Sequence, residues 1–205
     1  MSSTALVPSL VRPHNRVAAL VADAVLVGLG VTLIALSAQV SIPLPNTPVP
    51  LTGQTFGVLL IGGAYGATRG FATMAAYLVV GGLGYGVFAQ HGSGWDTLTF
   101  TTASGGYLVG MLVAAGFVGW MADRGWDRRA SRSLPTMLLG NIIIYAFGVT
   151  WLAYGFAPEV LGQHLTLSQA WDAGVKDFLV GDAIKILLAA GLLPAAWKLV
   201  DAVRR

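Results

Sequence analysis

The sequence contains no cysteine and few charged residues. Of its 205 residues, 10% are Asp, Glu, Lys or Arg, whereas about 25% is usual for a soluble domain. The absence of cysteine excludes a disulfide framework, a thiolate nucleophile and a metal site with cysteine ligands. The shortage of charge, together with 55% hydrophobic residues and a mean hydropathy of +0.71, predicts a protein that lies within a membrane.

The sequence also lacks the motifs of nucleotide binding and catalysis. No G-x-x-x-x-G-K-[ST] motif is present, which excludes ATP binding by a P-loop, and the glycines do not form a dinucleotide fingerprint. His14, His91 and His164 are scattered over loops and the N-terminal tail, so the sequence indicates no metal site. No serine has a histidine at a spacing that suggests a nucleophile and its base. We therefore predict a protein that binds a solute, is not an enzyme and has no cofactor.

Six apolar segments approach the length of about 20 residues that a helix needs to cross a membrane. The second segment is short and rich in glycine, which weakens it as a helix. The prediction is an all-α, single-domain integral membrane bundle of six transmembrane helices that comprises residues 1–205. The segments are residues 17–40, 54–67, 70–90, 104–122, 134–156 and 178–198.

The basic residues predict how these helices are oriented. With six crossings, ten of the lysines and arginines in loops and tails share one side and only Lys176 lies on the other. If the second segment does not cross, the best division is eight against three, so the positive-inside rule favours six crossings. Both termini, including a tail of residues 1–16, are then cytoplasmic. The net charge of +3 therefore reports orientation in the cytoplasmic membrane, among lipid, and not a nucleic-acid partner.

The loop of residues 41–53, between the first two helices, is predicted to be stiff and to lie outside. Four prolines at positions 43, 45, 48 and 50 favour extended backbone. A connector and a rigid lid over a site are equally good interpretations. Gln54 and Thr55 follow at the outer end of helix two, where their side chains can donate and accept hydrogen bonds.

Asp182 and Lys185 lie in an otherwise apolar segment, where a charge costs roughly 2.5 to 3.5 kcal/mol. Their spacing of three places them on one helix face, about 4.5 Å apart along the axis. A structural ion pair, a ligand site and an ion relay that also uses Asp23 remain open. Asn141 and Tyr145 share a face four residues apart and are either interhelical contacts or part of a site.

Two further patterns are glycine pairs and aromatic residues near the outer side. Gly82 with Gly86, and Gly106 with Gly110, have the spacing typical of helix packing. Trp95, Phe100 and Tyr107 are candidates for lining a pocket, although interfacial anchoring explains the first two as well.

A carboxylate beside an ammonium suits a neutral ligand head that carries both N–H donors and a carbonyl acceptor, as a cyclic urea does. Aromatic and apolar walls would accommodate a hydrocarbon or thioether body. The residues alone therefore predict a small amphipathic ligand captured from outside.

Several segments together closely resemble the biotin-specific S component (BioY family) of energy-coupling-factor vitamin transporters. They include "IPLPNTPVPLTGQTFGVLLIGGAYG", "YLVVGGLGYGVFA", "SGGYLVG", "LGNIIIYAFGVTWL" and "LTLSQAWDAGVKDFLVGDAIKILLAA". The resemblance covers about residues 35 to 193 in the family's order. Its most specific elements are T-P-V-P-x-T-x-Q-T-F and G-D-x-x-K.

The resemblance implies a six-helix membrane protein that captures biotin at its outer face. Asp182 and Lys185, which match G-D-x-x-K, would engage the polar groups of biotin, and residues 41–53 would form a gate. It also implies that a transmembrane coupling protein and ATPase subunits supply the energy, although some members work without them. The alternative is a stand-alone secondary transporter of biotin or another small vitamin-like solute. Further implied lining residues are Gln54, Thr55, Tyr107, Asn141 and Tyr145.

Overall fold

The computed structural model describes residues 5–10, 14–45 and 47–203, and these are predominantly helical. A π-helix, Leu152–Leu161, continues α6, and two-residue strands β1 (Ser41–Ile42) and β2 (Leu51–Thr52) pair in antiparallel fashion. The all-α prediction is therefore correct apart from this small hairpin. The α-helices are α1 (Leu6–Leu10), α2 (Arg16–Gln39), α3 (Gln54–Tyr65), α4 (Ala67–Gly82), α5 (Gly105–Ala122), α6 (Ala130–Trp151), α7 (Leu167–Gly174) and α8 (Leu179–Val203).

Helix α2 is apolar but largely unburied. It begins after Asn15, whose side chain accepts a hydrogen bond of 2.8 Å from the backbone N–H of Ala18. Of its 24 residues, only Gly30, Ile34 and Ala38 are buried. Leucines and valines cover the remaining surface, so this helix has the surface expected of a helix that faces lipid.

The short helices α3 and α4 form a tight hairpin in the centre of the bundle. Gly66 has φ 83°, a conformation that favours glycine, and allows the chain to reverse between Tyr65 and Ala67. A Cβ atom at Gly62 would lie 2.8 Å from the carbonyl oxygen of Ala115 in α5. The glycines that weaken α3 as a sequence pattern thus allow neighbouring helices to approach it closely.

The structure changes predicted helix boundaries in the third and fifth segments. The segment 70–90 was predicted as one helix, but α4 ends at Gly82 and the chain turns through Gly84, which has φ 103°. The helix predicted over residues 134–156 begins earlier, at Ala130, so Pro135 lies inside it. The predicted tail of residues 1–16 meets the start of α2 at Arg16 and contains α1, which contacts α3 and α8; the remainder of that tail is only partly within the described residues.

Of the two predicted glycine pairs, one packs helices and the other does not. A Cβ at Gly106 would meet the side chain of Trp151, and a Cβ at Gly110 would lie 2.9 Å from the Cα of Ile144, so this pair brings α5 against α6. The prediction for Gly82 and Gly86 is wrong, because α4 has ended before Gly86.

Contacts at the helix ends show that α2, α3, α4, α5, α6 and α8 run alternately between two ends of the bundle. At one end, Arg69 of α4 pairs with Asp23 of α2 at 2.6 Å, and Asp123 after α5 accepts a hydrogen bond from the N–H of Ala67. At the other end, the hairpin of β1 and β2 joins α2 to α3, and Trp151 of α6 donates to the carbonyl of Thr102 before α5.

Four helical stretches of the described chain are long and apolar enough to cross a membrane. Helices α3 and α4, with 12 and 16 residues, fall below that length. The expectation of six full-length segments is therefore met only in part by helix length. The four stretches are Arg16–Gln39, Gly105–Ala122, Ala130–Leu161 and Leu167–Val203.

Candidate ligand cavity

A partly open cavity lies at the end of the bundle where the hairpin joins α2 to α3. Its wall is mostly apolar and contains a few hydroxyl, amide and charged groups. The lining residues are Val49, Pro50, Leu51, Thr52, Gln54, Thr55, Phe88, Ala89, Gly92, Thr97, Ser104, Tyr107, Leu108, Met111, Ile144, Tyr145, Phe178, Asp182 and Lys185.

Asp182 and Lys185 form an ion pair in the wall of this cavity. The ammonium of Lys185 lies 2.7 Å from Oδ1 of Asp182, as the spacing of three predicts. The hydroxyl of Tyr145 donates a hydrogen bond of 2.6 Å to Oδ2 of the same carboxylate. Asp182 is only 4% exposed. Its carboxylate contacts one cation and one hydroxyl donor inside the protein.

Lys185 retains hydrogen-bonding capacity toward the cavity. An ammonium has three N–H donors, and within the described residues the hydrogen bond to Asp182 uses one of them. Each carboxylate oxygen of Asp182 can accept a further hydrogen bond, because a carboxylate oxygen has two acceptor sites. The pair therefore combines free donor and acceptor capacity at one point of an otherwise apolar wall.

The second half of the loop of residues 41–53 lines the cavity beside this pair. The N–H of Gly53 donates to the carbonyl of Val40 at 2.9 Å, which anchors the loop at the end of α2. The loop also contacts α8 through Leu51. A Cβ atom added at Gly181 of α8 would lie 3.2 Å from Cδ1 of Leu51. Val49, Pro50, Leu51 and Thr52 contribute to the wall, and the loop is thus placed as a lid would be.

Gln54 and Thr55 lie in the first turn of α3 and line the cavity, as predicted. The side-chain amide of Gln54 donates 2.8 Å to the hydroxyl of Tyr77, which donates 2.9 Å to the carbonyl of Val87. This chain of hydrogen bonds joins α3, α4 and the segment that follows α4. Gln54 therefore positions the cavity wall as well as forming part of it.

Of the three aromatic candidates, only Tyr107 lines the cavity. Its hydroxyl donates 2.8 Å to the carbonyl of Gly174 in α7, and its ring contributes to the wall. Trp95 is 51% exposed and lies over Gly82, while the ring of Phe100 packs on Trp151 with centroids 4.3 Å apart. Trp95 and Phe100 do not line this cavity, although Phe100 lines a separate open groove beside Trp151.

Tyr145 lines the cavity, but its predicted companion Asn141 does not. Asn141 is 6% exposed, lies one helical turn away from Tyr145, and its Oδ1 has no hydrogen-bond partner among the described residues. Asn141 therefore lies beside Tyr145 on the same face of α6 but outside the cavity lining.

Several wall residues had no signal in the sequence. Phe88, Phe178 and Met111 are apolar residues in a chain that is apolar almost throughout, so no pattern distinguishes them from core residues. Thr97 lies in a loop whose path the sequence does not fix. Among the described residues, no group of three His, Asp or Glu side chains is placed to hold a metal ion.

The helical bundle and its cavity define a class: a helical membrane protein with a ligand-sized site covered by a loop at one end. Comparison with known proteins gives the family. A profile of the BioY family matches residues 9–202, and the chain belongs to this family.

Similar proteins from three organisms support the assignment to this family. The chain is 32% identical over 165 residues to "Biotin transporter BioY" of Rhizobium etli, with 77% of this chain and 83% of that protein covered. It is 34% identical over 164 residues to "Probable biotin transporter BioY" of Pyrococcus horikoshii, with 80% and 89% covered. "Biotin transporter BioY" of Thermotoga maritima is 32% identical over 163 residues, with 80% and 88% covered.

The fold also matches a solved structure. The crystal structure of an S-component for biotin from an ECF-type ABC transporter superposes with a TM-score of 0.75, covering 87% of this chain and 92% of that chain. Its sequence identity to this chain is 22%, so the likeness is one of fold.

Proposed function

We propose that this chain captures biotin and takes part in its uptake as the substrate-binding subunit of an ECF-type transporter. Membership of the BioY family and similarity to biotin transporters support this proposal. The single observation that carries it is the ion pair of Asp182 and Lys185 in the wall of a covered, mostly apolar cavity.

The cavity offers chemistry that is complementary to biotin. The ureido ring carries two N–H donors and a carbonyl acceptor, while Asp182 supplies carboxylate oxygens and Lys185 supplies N–H donors. Charge-assisted hydrogen bonds of this type are about twice as strong as neutral ones. Phe88, Met111 and Phe178 provide apolar surface for the thioether ring and the aliphatic chain.

Residues 41–53 act as a gate in this proposal. Gly53 and Leu51 fix the two sides of the loop against α2 and α8. The prolines at positions 43, 45, 48 and 50 restrict the loop backbone that precedes these contacts, which lowers the entropy lost when the loop closes on a ligand. Ligand release then requires Leu51 to leave its contact with Gly181.

The alternation of helix ends supports six crossings with both termini in the cytoplasm. A helix of 12 residues is about 18 Å long, shorter than the membrane core of about 30 Å. Helix α3 is surrounded by α2, α4, α5 and α8, so it need not match the lipid thickness itself. The end that carries Arg69 and Arg124 is the cytoplasmic end by the positive-inside rule, and the cavity faces outward.

Energy for transport would come from partner subunits. The sequence has no P-loop, and the solved structure that shares the fold is a component of an ECF-type ABC transporter. A transmembrane coupling protein and ATPase subunits are therefore the proposed partners.

Equilibrium binding tests the proposal directly. Biotin is titrated into the purified protein in detergent and followed by calorimetry, with an analogue that lacks the ureido group as control. We expect biotin to bind and the analogue to bind much more weakly. If protein shown to be folded by its thermal transition binds neither compound, or binds both equally, the proposed function or the proposed recognition by the ion pair is wrong.

A further inference from the structure

Four arginines cluster at the opposite end of the bundle from the cavity. Together with Gly125 they line a shallow cleft between the end of α5 and the start of α6. Gly125 has φ 78° and allows the connection to fold back on itself. We call Arg124, Arg128, Arg129 and Arg132 the arginine patch.

The three tryptophans beside the patch orient three of its guanidinium groups. The Cζ atom of Arg124 lies 3.6 Å from the ring centroid of Trp120, and that of Arg128 lies 4.3 Å from the ring of Trp197. Arg132 lies 5.9 Å from the ring of Trp126. Stacking of this kind holds a guanidinium in place, and Arg124 is held further by a hydrogen bond of 3.0 Å that it donates to the backbone carbonyl of Trp120.

Both aspartates of the same connection are directed into the protein. Oδ2 of Asp127 accepts a hydrogen bond of 2.5 Å from the indole of Trp197, and Asp127 is 3% exposed. Oδ2 of Asp123 accepts a hydrogen bond of 3.0 Å from the N–H of Ala67 at the start of α4. Arg124, Arg129 and Arg132 are exposed, so the outer surface of the connection is strongly positive.

Apolar surface continues from the patch along α6. Arg132 and Leu139 are seven residues apart and share a helix face, with the leucine about 10 Å further along the axis. Leu138 and Leu139 are each 44% exposed, and Ile142 is 59% exposed. Trp120, which is 45% exposed, has the amphipathic character of residues at the boundary between the membrane and water.

We propose that the arginine patch binds the phosphate group of an anionic membrane phospholipid, whose acyl chains lie along Leu138, Leu139 and Ile142 of α6. Guanidinium groups bind phosphate oxygens in bidentate fashion. A soluble anion such as inorganic phosphate would satisfy the arginines but not the apolar surface beside them. This site is separate from the cavity, and the proposal does not depend on the identity of the transported solute.

Native mass spectrometry of the full chain in detergent tests the lipid site. Phosphatidylglycerol and phosphatidylcholine are titrated separately, and bound lipid is counted. Since an arginine near a lipid surface contributes about 1 kcal/mol, we expect phosphatidylglycerol to bind the unmodified chain at least about tenfold more tightly than phosphatidylcholine. Excess inorganic phosphate should not displace it.

Two double variants distinguish a specific lipid site from general electrostatic attraction to the basic end of the protein. The variant Arg124→Gln/Arg132→Gln removes two charges from the patch, and we expect it to lose the preference for phosphatidylglycerol. The control Arg16→Gln/Lys198→Gln removes two charges from the same end but outside the patch, and it should keep the preference. If the first variant does not fold, the exposed Arg129 is changed alone to Gln, with an expected loss of about fivefold.

Several results would overturn the proposal. Equal losses in the patch variant and its control would show charge attraction without a site. Displacement of lipid by inorganic phosphate would indicate a soluble anion as the ligand. Unchanged lipid binding in the patch variant, with loss of its association with energising subunits, would identify an acidic protein surface as the partner instead.

Discussion

The hydroxyl of Tyr145 donates a 2.6 Å hydrogen bond to one oxygen of Asp182, and Lys185 occupies the other oxygen at 2.7 Å. Helices α6 and α8 are thereby joined by a polar contact inside an apolar bundle. Both partners place a hydrogen-bond donor on the carboxylate of Asp182, which is only 4% exposed. This arrangement fixes the orientation of the acceptor oxygens before a ligand arrives.

Neutralising either member of the pair is expected to weaken biotin binding. Asp182→Asn and Lys185→Met each remove a charged hydrogen-bonding group, and the dissociation constant should rise by about tenfold to a hundredfold. Calorimetry on folded protein provides the measurement. Asp23→Asn, which breaks the other ion pair away from the cavity, is the control and should bind as before. Normal binding by both pair variants would mean that the pair is only structural.

Tyr145→Phe tests the positioning of the carboxylate separately from its charge. The variant keeps Asp182 and Lys185 but loses one hydrogen bond, so we expect a loss in affinity of only about three- to tenfold. Tyr154→Phe changes an exposed tyrosine that does not line the cavity and should leave affinity unchanged. A loss as large as that of Asp182→Asn would instead assign Tyr145 a direct contact with the ligand.

Replacing loop prolines with glycine is expected to speed ligand release. In Pro48→Gly/Pro50→Gly the loop gains conformational freedom when open, and the dissociation rate should rise about fivefold. The rate is measured by chasing labelled biotin with unlabelled biotin. Pro8→Gly, a proline outside the loop, is the matched control. An unchanged dissociation rate in the loop variant would argue against a gate.

Gly62→Ala is expected to destabilise the bundle. The added Cβ would lie 2.8 Å from the carbonyl oxygen of Ala115, which forces α3 and α5 apart at a cost of about 1 to 3 kcal/mol. Gly28→Ala is the control, because nothing lies within 4 Å of the added atom. The midpoint of thermal unfolding in detergent should fall only for Gly62→Ala, and equal midpoints would contradict close helix packing at this glycine.

The pH dependence of stability should include a contribution from Asp127, in the connection between α5 and α6. Burial raises the pKa of this carboxyl to about 6, although the hydrogen bond from Trp197 opposes the increase. The folded protein then holds the proton more tightly than the unfolded chain, whose ordinary pKa is 3.8. Stability should therefore fall as pH rises from about 4 to about 6 and level off above.

Comparison with Asp127→Asn isolates this contribution. The variant does not titrate at position 127, so its thermal midpoint should decline less over that pH interval than that of the unmodified chain. Parallel curves for the two proteins would contradict the raised pKa.

The sequence predicted most, but not all, of the candidate site residues that line the cavity. Asp182 and Lys185 were found because charge is rare in this chain, and Gln54, Thr55, Tyr107 and Tyr145 also line the cavity. Their roles in binding stay predictions. Asn141 was placed with Tyr145 because residues four apart share a helix face, but a shared face does not show which of the two lies at the depth of a cavity.

The predictions of helix boundaries were wrong where the local backbone conformation, and not the hydrophobicity, decided where a helix begins or ends. The apolar run through residue 90 predicted a long third helix, yet Gly84 adopts a positive φ that ends α4 at Gly82. Arg129 and Ser131 suggested a polar loop, yet α6 already begins at Ala130. Neither the end of α4 nor the start of α6 coincides with a change in mean hydropathy. A search for apolar segments therefore cannot locate these two boundaries.

The sequence by itself determined that this protein is a helical membrane protein, which end carries the arginines, and that one charged pair lies among apolar residues. These properties follow from composition and spacing within single helices. Only the tertiary structure decided which apolar side chains form the cavity wall, that residues 49–52 contribute to it, and that Tyr145 reaches Asp182. Such contacts join residues far apart in the chain, and their geometry depends on how closely the glycines allow the helices to pack.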